Sequence, residues 1–338
     1  MRKLFTLGLF LFASIVIGQQ KLKTADKLFN EMSYVEAAKF YEAYLESNPN
    51  PDLETIINIA DTYYYLNDMR KALTWYQKLY DLQGHSLSDL YLLRYTQSLR
   101  GVRDYDKANA VTKEVLKNLD IGTTKSKLLA IIANERGAED AVLFDEISYL
   151  GFPFSVSETF QQRNTNSSIS ESFKRVEAIQ ELCIKNKKQL VVYLSMGFGN
   201  PYGDEWNEEI VFSYAKDLVE LGIETLSLAD TVGLATADQV QQITSFLVEQ
   251  LPATEIGVHL HSTSYNWKEK LEAAYTAGCR RFDGALKGIG GCPMANDELV
   301  GNMDSELMIH YFENQNGLQL NQEALQKCLL LAAEIFHT

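Results

Sequence analysis

Apolar and polar positions follow three different rhythms along this chain. The first is a single run of 14 apolar or small residues over residues 4–17, preceded by Arg2 and Lys3 and closed by Gly18-Gln19. It falls short of the roughly 20 residues that a membrane-spanning helix needs. A basic start, a short apolar stretch and a small residue at its end together predict a secretory signal over residues 1–18.

The second rhythm, over residues 19–120, is helical and repeats. Tyr34-Val35-Glu36-Ala37, Met69-Arg70-Lys71-Ala72 and Tyr105-Asp106-Lys107-Ala108 place their alanines at spacings of 35 and 36. A period of that length predicts stacked helix pairs. Within one unit Ile59, Ala60 and Tyr63 share a face of the first helix, and Ala72, Tyr76 and Leu79 share a face of the second. Small residues admit close helix contact there and aromatics fill the groove. The run Tyr63-Tyr64-Tyr65 reads as core and groove packing, with a peptide-binding concave face as the functional alternative.

From residue 127 onward a third rhythm begins, in which short β-rich runs alternate with longer amphipathic stretches. The runs cover residues 127–133, 147–154, 190–195, 225–229, 255–261 and 281–286. They predict six βα units of a parallel sheet. Asp230, His261 and the loop after Leu286 fall at the ends of these runs, where a parallel barrel carries its active face.

A length of 338 residues leaves room for about two domains, and the other counts place the division. Residues 19–120 carry 13 basic and 15 acidic side chains, whereas residues 121–338 carry 16 and 30. Eleven of the 18 tyrosines precede residue 121, and the four cysteines, Cys183, Cys279, Cys292 and Cys328, all follow it. Two unlike segments, residues 19–120 and 121–338, are therefore joined. A net charge of -14 opposes any general neutralisation of a phosphate backbone, so nucleic acid is excluded as a general partner. Cys183, Cys279 and Cys328 read as core thiols.

Three motifs carry chemistry. In Val258-His259-Leu260-His261 the imidazoles are two residues apart, so in a strand they share a face and can hold one divalent ion; a hydrogen-bonded pair without further function has the same spacing. In Gly288-Ile289-Gly290-Gly291-Cys292-Pro293 the glycines let backbone approach a substrate and present a thiol, although a cysteine there also serves as a small buried residue. Ser227-Leu228-Ala229-Asp230-Thr231-Val232-Gly233 ends a buried run with a carboxylate and a hydroxyl, and Asp230 equally suits a helix cap.

Taken in order along successive strands, these motifs resemble 3-hydroxy-3-methylglutaryl-CoA lyases, of the metal-dependent TIM-barrel lyase superfamily, over residues 123–312. The Gly-Gly-Cys-Pro loop is the most discriminating piece. The resemblance implies His259, His261 and Asn302 as ligands of Mg²⁺ or Mn²⁺. It implies His259, Cys292 and Asp230 as catalytic residues, and Asn164, Tyr193 and Thr231 on the substrate side. The implied substrate is an acyl-CoA, 3-hydroxy-3-methylglutaryl-CoA, cleaved to acetoacetate and acetyl-CoA. Residues 19–120 resemble tetratricopeptide repeats and, with the signal, the amino-terminal part of exported OmpA-type proteins.

The fold class expected is thus α/β, an incomplete (β/α)8 TIM barrel of about six βα units preceded by an all-α TPR-like repeat segment. The family's Arg-Asp-Gly motif on the first barrel strand has no counterpart, and residues 121–338 fall short of the roughly 250 of a complete barrel. An open sheet has two unpaired edges, which admit pairing between copies in a homo-oligomer. Greatly reduced lyase activity is expected. The addresses also conflict, because the signal directs export to the periplasm or cell envelope while the lyase family works on cytoplasmic CoA esters. A gene fusion or assembly join near residues 118–123 explains both. The alternative function is a non-catalytic cell-envelope adaptor whose repeats bind a protein or peptide partner.

Overall fold

The computed structural model describes residues 18–119, 121–291, 300–315 and 317–336, within two compact units that span residues 1–120 and 121–338. The expected signal segment, apart from Gly18, lies outside the described residues, as does Cys292.

In the first unit the helical rhythm becomes α1 (residues 18–30), α2 (Tyr34–Leu45), α3 (Leu53–Tyr65), α4 (Met69–Gln83), α5 (Asp89–Gly101) and α6 (Tyr105–Asn118). Ala37, Ala72 and Ala108 are buried, as the period requires. The turns before α2, α4 and α6 repeat too. Met32, Asn67 and Arg103 each take a positive φ, 58°, 59° and 67°. The next residue then donates its N–H back to the preceding helix: Ser33 to Leu28 O, Asp68 to Tyr63 O and Asp104 to Leu99 O. Asp68 and Asp104 go on to cap α4 and α6 through the N–H groups of Lys71 and Lys107.

Side-chain bonds follow the same period through the first two units. The Tyr41 hydroxyl donates to Asp26 at 2.8 Å, and 35 positions on Tyr76 donates to Asp61 at 2.6 Å. Glu42 accepts from Tyr63 and Lys71, and Gln77, its equivalent, accepts from Tyr95 and Lys107. In the third unit, at the spacing of 36, these positions hold Thr112 and Lys113, so the tyrosine hydroxyl is lost and the Thr112 hydroxyl donates to Ala108 O at 3.0 Å instead. Arg94 is buried against Asp61 at 2.7 Å and lies 5.4, 5.2 and 6.0 Å from the ring centres of Tyr64, Tyr65 and Tyr91. Tyr63 and Tyr64 are buried and Tyr65 half-buried, the packing role read from the sequence.

The second unit alternates β1 (Leu128–Ile131), α7 (Glu135–Ala141), β2 (Ile147–Ser155), α8 (Glu158–Thr165), α9 (Ile169–Lys185), β3 (Gln189–Ser195), α10 (Glu208–Glu220), β4 (Thr225–Ala229), α11 (Ala237–Gln250) and β5 (Glu255–His259). There follow β6 (His261–Ser262), α12 (Trp267–Thr276), β7 (Arg281–Asp283), β8 (Gly301–Asn302), α13 (Ser305–Asn314) and α14 (Gln322–Phe336). Six strands pair in the order β1-β2-β3-β4-β5-β7, all parallel. This is an α/β fold with a six-stranded half-barrel, the architecture of an incomplete TIM barrel.

Strand alternation divides the sheet. Leu150, Phe152, Phe154, Val192, Leu194 and Leu228 occupy one face, each fully buried, as are Val176, Val211 and Val240 on helices α9, α10 and α11. The other face is polar and aligned by register: Pro153, Tyr193, Ser227, Gly257 and Arg281 form one row, and Ala229, His259 and Asp283 the row above.

One expected strand is broken. The run 255–261 leaves the sheet after His259, and His261-Ser262 turns to pair antiparallel with Gly301-Asn302, with His261 opposite Asn302. Strict alternation cannot anticipate this, since it assigns a face but not where pairing ends. Cys328, expected in the core, is exposed on α14, whereas Cys183 and Cys279 are buried and burial pushes their thiols up to about 11 and about 12.

Candidate functional site

At the carboxyl ends of the strands lies a cleft of about 500 Å³. One wall is apolar, from Leu129, Ile131 and Pro153 on β1 and β2. The opposite wall carries His259, His261, Asp283 and Asn302. It is the position that a parallel α/β barrel reserves for chemistry, because the strand-end loops there combine residues from many strands.

His259 closes β5, and its ring meets that of His261 edge to face at 5.3 Å between centres. The His261 Nδ1 lies 2.8 Å from the Asp230 carbonyl oxygen. A carbonyl can only accept, so Nδ1 carries the proton and Nε2 keeps its lone pair. Burial, and after it the neighbouring His259, lowers the His261 pKa from its ordinary 6.5 and keeps the ring neutral. His259 has Nδ1 at 3.8 Å from the Asp283 carboxylate. Asn302 donates its amide nitrogen to Ile289 O at 2.8 Å, leaving its amide oxygen as the end able to serve as a ligand. Gly290, at φ 89°, makes room for it, since a Cβ there would stand 2.9 Å from the Asn302 amide nitrogen.

Among the described residues no three His, Cys, Asp or Glu side chains converge as an ion-holding group. The side chains with nitrogen or amide-oxygen donors that line the cleft together are His259, His261 and Asn302. In each of the three one polar atom is tied or faces a carboxylate, the kind of support that orients side chains around a divalent cation. The residues present therefore fit such an ion.

The remaining expected positions separate. Tyr193 lines the cleft, edge to face with His259 at 6.0 Å, and burial, then Asp283, pushes its hydroxyl above the ordinary range. Thr231 lines it also, with its hydroxyl accepting the Met196 N–H at 2.8 Å. Asn164 does not; it is exposed near the end of α8. Asp230, expected as an active-site carboxylate, is turned away from the cleft and buried. Its Oδ2 accepts from Lys270 at 2.8 Å and its Oδ1 from the Ala235 N–H at 3.0 Å, with both charged side chains 1% exposed. Among the described residues, the carboxylate that lines the cleft is Asp283.

Asp283 and Lys270 were not singled out by sequence reasoning. Asp283 ends a strand as Asp230 does, so the strand-end rule could have found it. Lys270 sits in an amphipathic helical stretch where a lysine reads as a solvated position, and nothing in its neighbourhood signals burial.

The HMGL-like family profile matches residues 101–333, more than half of the chain and all of the half-barrel. A hydroxymethylglutaryl-CoA lyase of Bacillus subtilis is 34% identical over 187 residues, 55% of this chain and 62% of that protein. The cytoplasmic 3-hydroxy-3-methylglutaryl-CoA lyase of Danio rerio is 30% identical over 216 residues, 62% of each chain. The chain thus spans under two thirds of the length of these relatives. The crystal structure of the Bacillus subtilis HMG-CoA lyase superposes with a TM-score of 0.60 at 31% identity, covering 68% of this chain and 77% of that one. An Acinetobacter baumannii HMG-CoA lyase solved with coenzyme A and 3-methylmalate gives 0.57 at 29% identity, covering 69% and 73%. On profile, sequence and fold together, the chain belongs to the HMGL-like family.

Proposed function

We propose that the half-barrel carries a metal-dependent carbon–carbon lyase site for 3-hydroxy-3-methylglutaryl-CoA, with Mg²⁺ or Mn²⁺ held by His259, His261 and Asn302. The observation that carries this reading is the meeting of His259, His261 and Asn302 in one cleft, with His261 fixed through Nδ1 so that Nε2 is bare. The neighbour crystallised with coenzyme A and 3-methylmalate supports an acyl-CoA substrate with a hydroxyl and a carboxylate. When bound, such an ion would supply positive charge that stabilises the oxyanion developing on the substrate.

In the reaction, the tertiary hydroxyl gives up its proton with the help of His259. The O–H pair becomes the new carbonyl as the adjacent carbon–carbon bond breaks, and that bond's electrons pass to the carbon beside the thioester. Protonation of this carbon gives acetyl-CoA, and the other fragment is acetoacetate. Cys292 is assigned the proton donor by family resemblance. Tyr193 and Thr231 bound the substrate side, while Asp230 holds the histidine segment from behind. Turnover is expected to be greatly reduced, because the described sheet ends at β1 and β7 with its interior face open.

The same open sheet favours a second reading, in which the half-barrel is inert and residues 19–120, as TPR-like repeats behind a signal over residues 1–18, form a cell-envelope adaptor for a protein or peptide. A gene fusion near residues 118–123 accounts for the joining of the two parts. Acetoacetate release by the purified chain with Mg²⁺ or Mn²⁺, against His259→Ala, tests the first reading; a folded chain with no turnover and no Mn²⁺ affinity overturns it. Amino-terminal sequencing of the protein made in cells tests the second, which expects cleavage after Gly18.

A further inference from the structure

A lysine buried to 1% exposure needs a reason, because taking an ammonium out of water costs several kcal/mol even when it is paired. Lys270 reaches from α12 to the back of the cleft. Its Nζ donates to Asp230 Oδ2 at 2.8 Å and also to the backbone oxygen of His261 at 2.9 Å. Asp230 then makes four further bonds in the same place, one of them from the Gly233 N–H to its carbonyl oxygen at 3.1 Å. Its N–H donates to His259 O at 2.9 Å, its carbonyl accepts from His261 Nδ1 at 2.8 Å, and its Oδ1 accepts the Ala235 N–H at 3.0 Å. One ammonium therefore ties together the end of β4, the end of β5 and the segment where His261 leaves the sheet.

That segment is where the backbone most needs support. His261 has left the parallel ladder, and its own strand is a two-residue pairing with Gly301-Asn302. So short a ladder cannot by itself hold an imidazole to the few tenths of an ångström that ligation demands. A neutral amide also has two N–H donors for these two oxygens, but only an ammonium matches the charge of the buried Asp230 carboxylate as well.

We infer that Lys270 is a positioning residue: through Asp230 and the His261 carbonyl it fixes the His261 ring in the Nδ1-protonated form with Nε2 facing the cleft. The inference rests on the metal-site reading above for its purpose, but its geometry is independent of any ion. It predicts that His261 is held in one tautomer by a group that never touches substrate.

The test uses the full chain as Lys270→Met and as the double variant Asp230→Asn/Lys270→Met, in which no unpaired charge is left to disturb folding. Two quantities are read for each: the ¹⁵N shifts of the His261 ring, which report the tautomer, and Mn²⁺ affinity by electron paramagnetic resonance. Thermal unfolding monitors the fold. In the double variant, unfolding near the parent temperature is expected together with a mixed His261 tautomer and Mn²⁺ binding weakened roughly 10- to 100-fold. A double variant that keeps both the single tautomer and the parent affinity overturns the inference and leaves Lys270 as charge balance alone. If neither variant folds, the parent's ring shifts decide, and an Nε2-protonated His261 overturns the inference. A parent chain with the Nδ1-protonated ring, lost on substitution, but with no Mn²⁺ binding defeats the metal-site reading and leaves the positioning role standing.

Discussion

Replacing Asp230 by alanine and, separately, Asp283 by alanine discriminates between the two strand-end carboxylates. Asp230→Ala leaves the Lys270 ammonium, 1% exposed, without the carboxylate now 2.8 Å away. Breaking a buried pair from one side costs about 3–5 kcal/mol. The Ala235 N–H loses its acceptor as well, which adds about 1 kcal/mol. A loss of about 4–6 kcal/mol lowers the melting temperature of a unit of this size by roughly 10–20 °C. Asp283 is a quarter exposed, accepts from Ser227 at 3.3 Å and stands 3.8 Å from His259. Its loss costs under about 1 kcal/mol. Thermal unfolding by circular dichroism gives the totals, and hydrogen exchange resolved by peptide shows where they fall: Asp230→Ala should accelerate exchange across β4, β5 and α12, and Asp283→Ala should not. Equal losses for the two variants, or an Asp230→Ala protein within 1 kcal/mol of the parent, would refute the assignment of Asp230 to structure.

In the repeat unit, Arg94→Met leaves Asp61 buried beside Tyr76 with its ion-pair partner gone; about 3–5 kcal/mol of local stability should disappear, read as faster exchange in α3 to α5 with the half-barrel unchanged. Asp204 accepts first from the Ser157 hydroxyl and then from Thr159, which lowers its pKa below the ordinary 3.8. A depressed carboxylate contributes stability that is fully present above the ordinary value and lost as pH falls through the folded one, so the start of α8 should loosen below about pH 4, and Asp204→Asn should flatten that dependence in amide exchange at Thr159. Gly284→Ala puts a Cβ 2.8 Å from the Met303 carbonyl, a backbone contact that cannot move aside, and should cost about 1–3 kcal/mol with loss of the β6–β8 pairing in amide exchange.

Much of this was legible from residue order. The six β-rich runs became the six parallel strands because a run of alternating apolar residues between amphipathic stretches has few other ways to bury itself. The meeting of His259, His261 and Asn302 in one cleft was legible only through the family resemblance, since His259 ends a strand of the parallel sheet whereas His261 and Asn302 pair outside it. What stayed hidden depended on distance in sequence. The end of β5 at His259 is set by the return of Gly301-Asn302 alongside His261, and no local pattern near His261 records it. The inward turn of the Asp230 carboxylate depends on Lys270, whose burial only the packing of α12 decides. Asn164, expected on the substrate side, is exposed near the end of α8, where a polar residue late in a helix gives no sign of which rim it faces.

The left-handed turns at Met32, Asn67 and Arg103 have a consequence for how such arrays diverge. Three chemically unrelated side chains occupy one backbone role, and each accepts the roughly 1–2 kcal/mol that a β-carbon costs at positive φ. The periodicity is therefore written more faithfully in torsion angles than in letters. A search that compares residue types passes over these turns, whereas one that compares backbone angles meets the same signature three times, and it would go on finding it after every alanine and tyrosine in the array had been replaced.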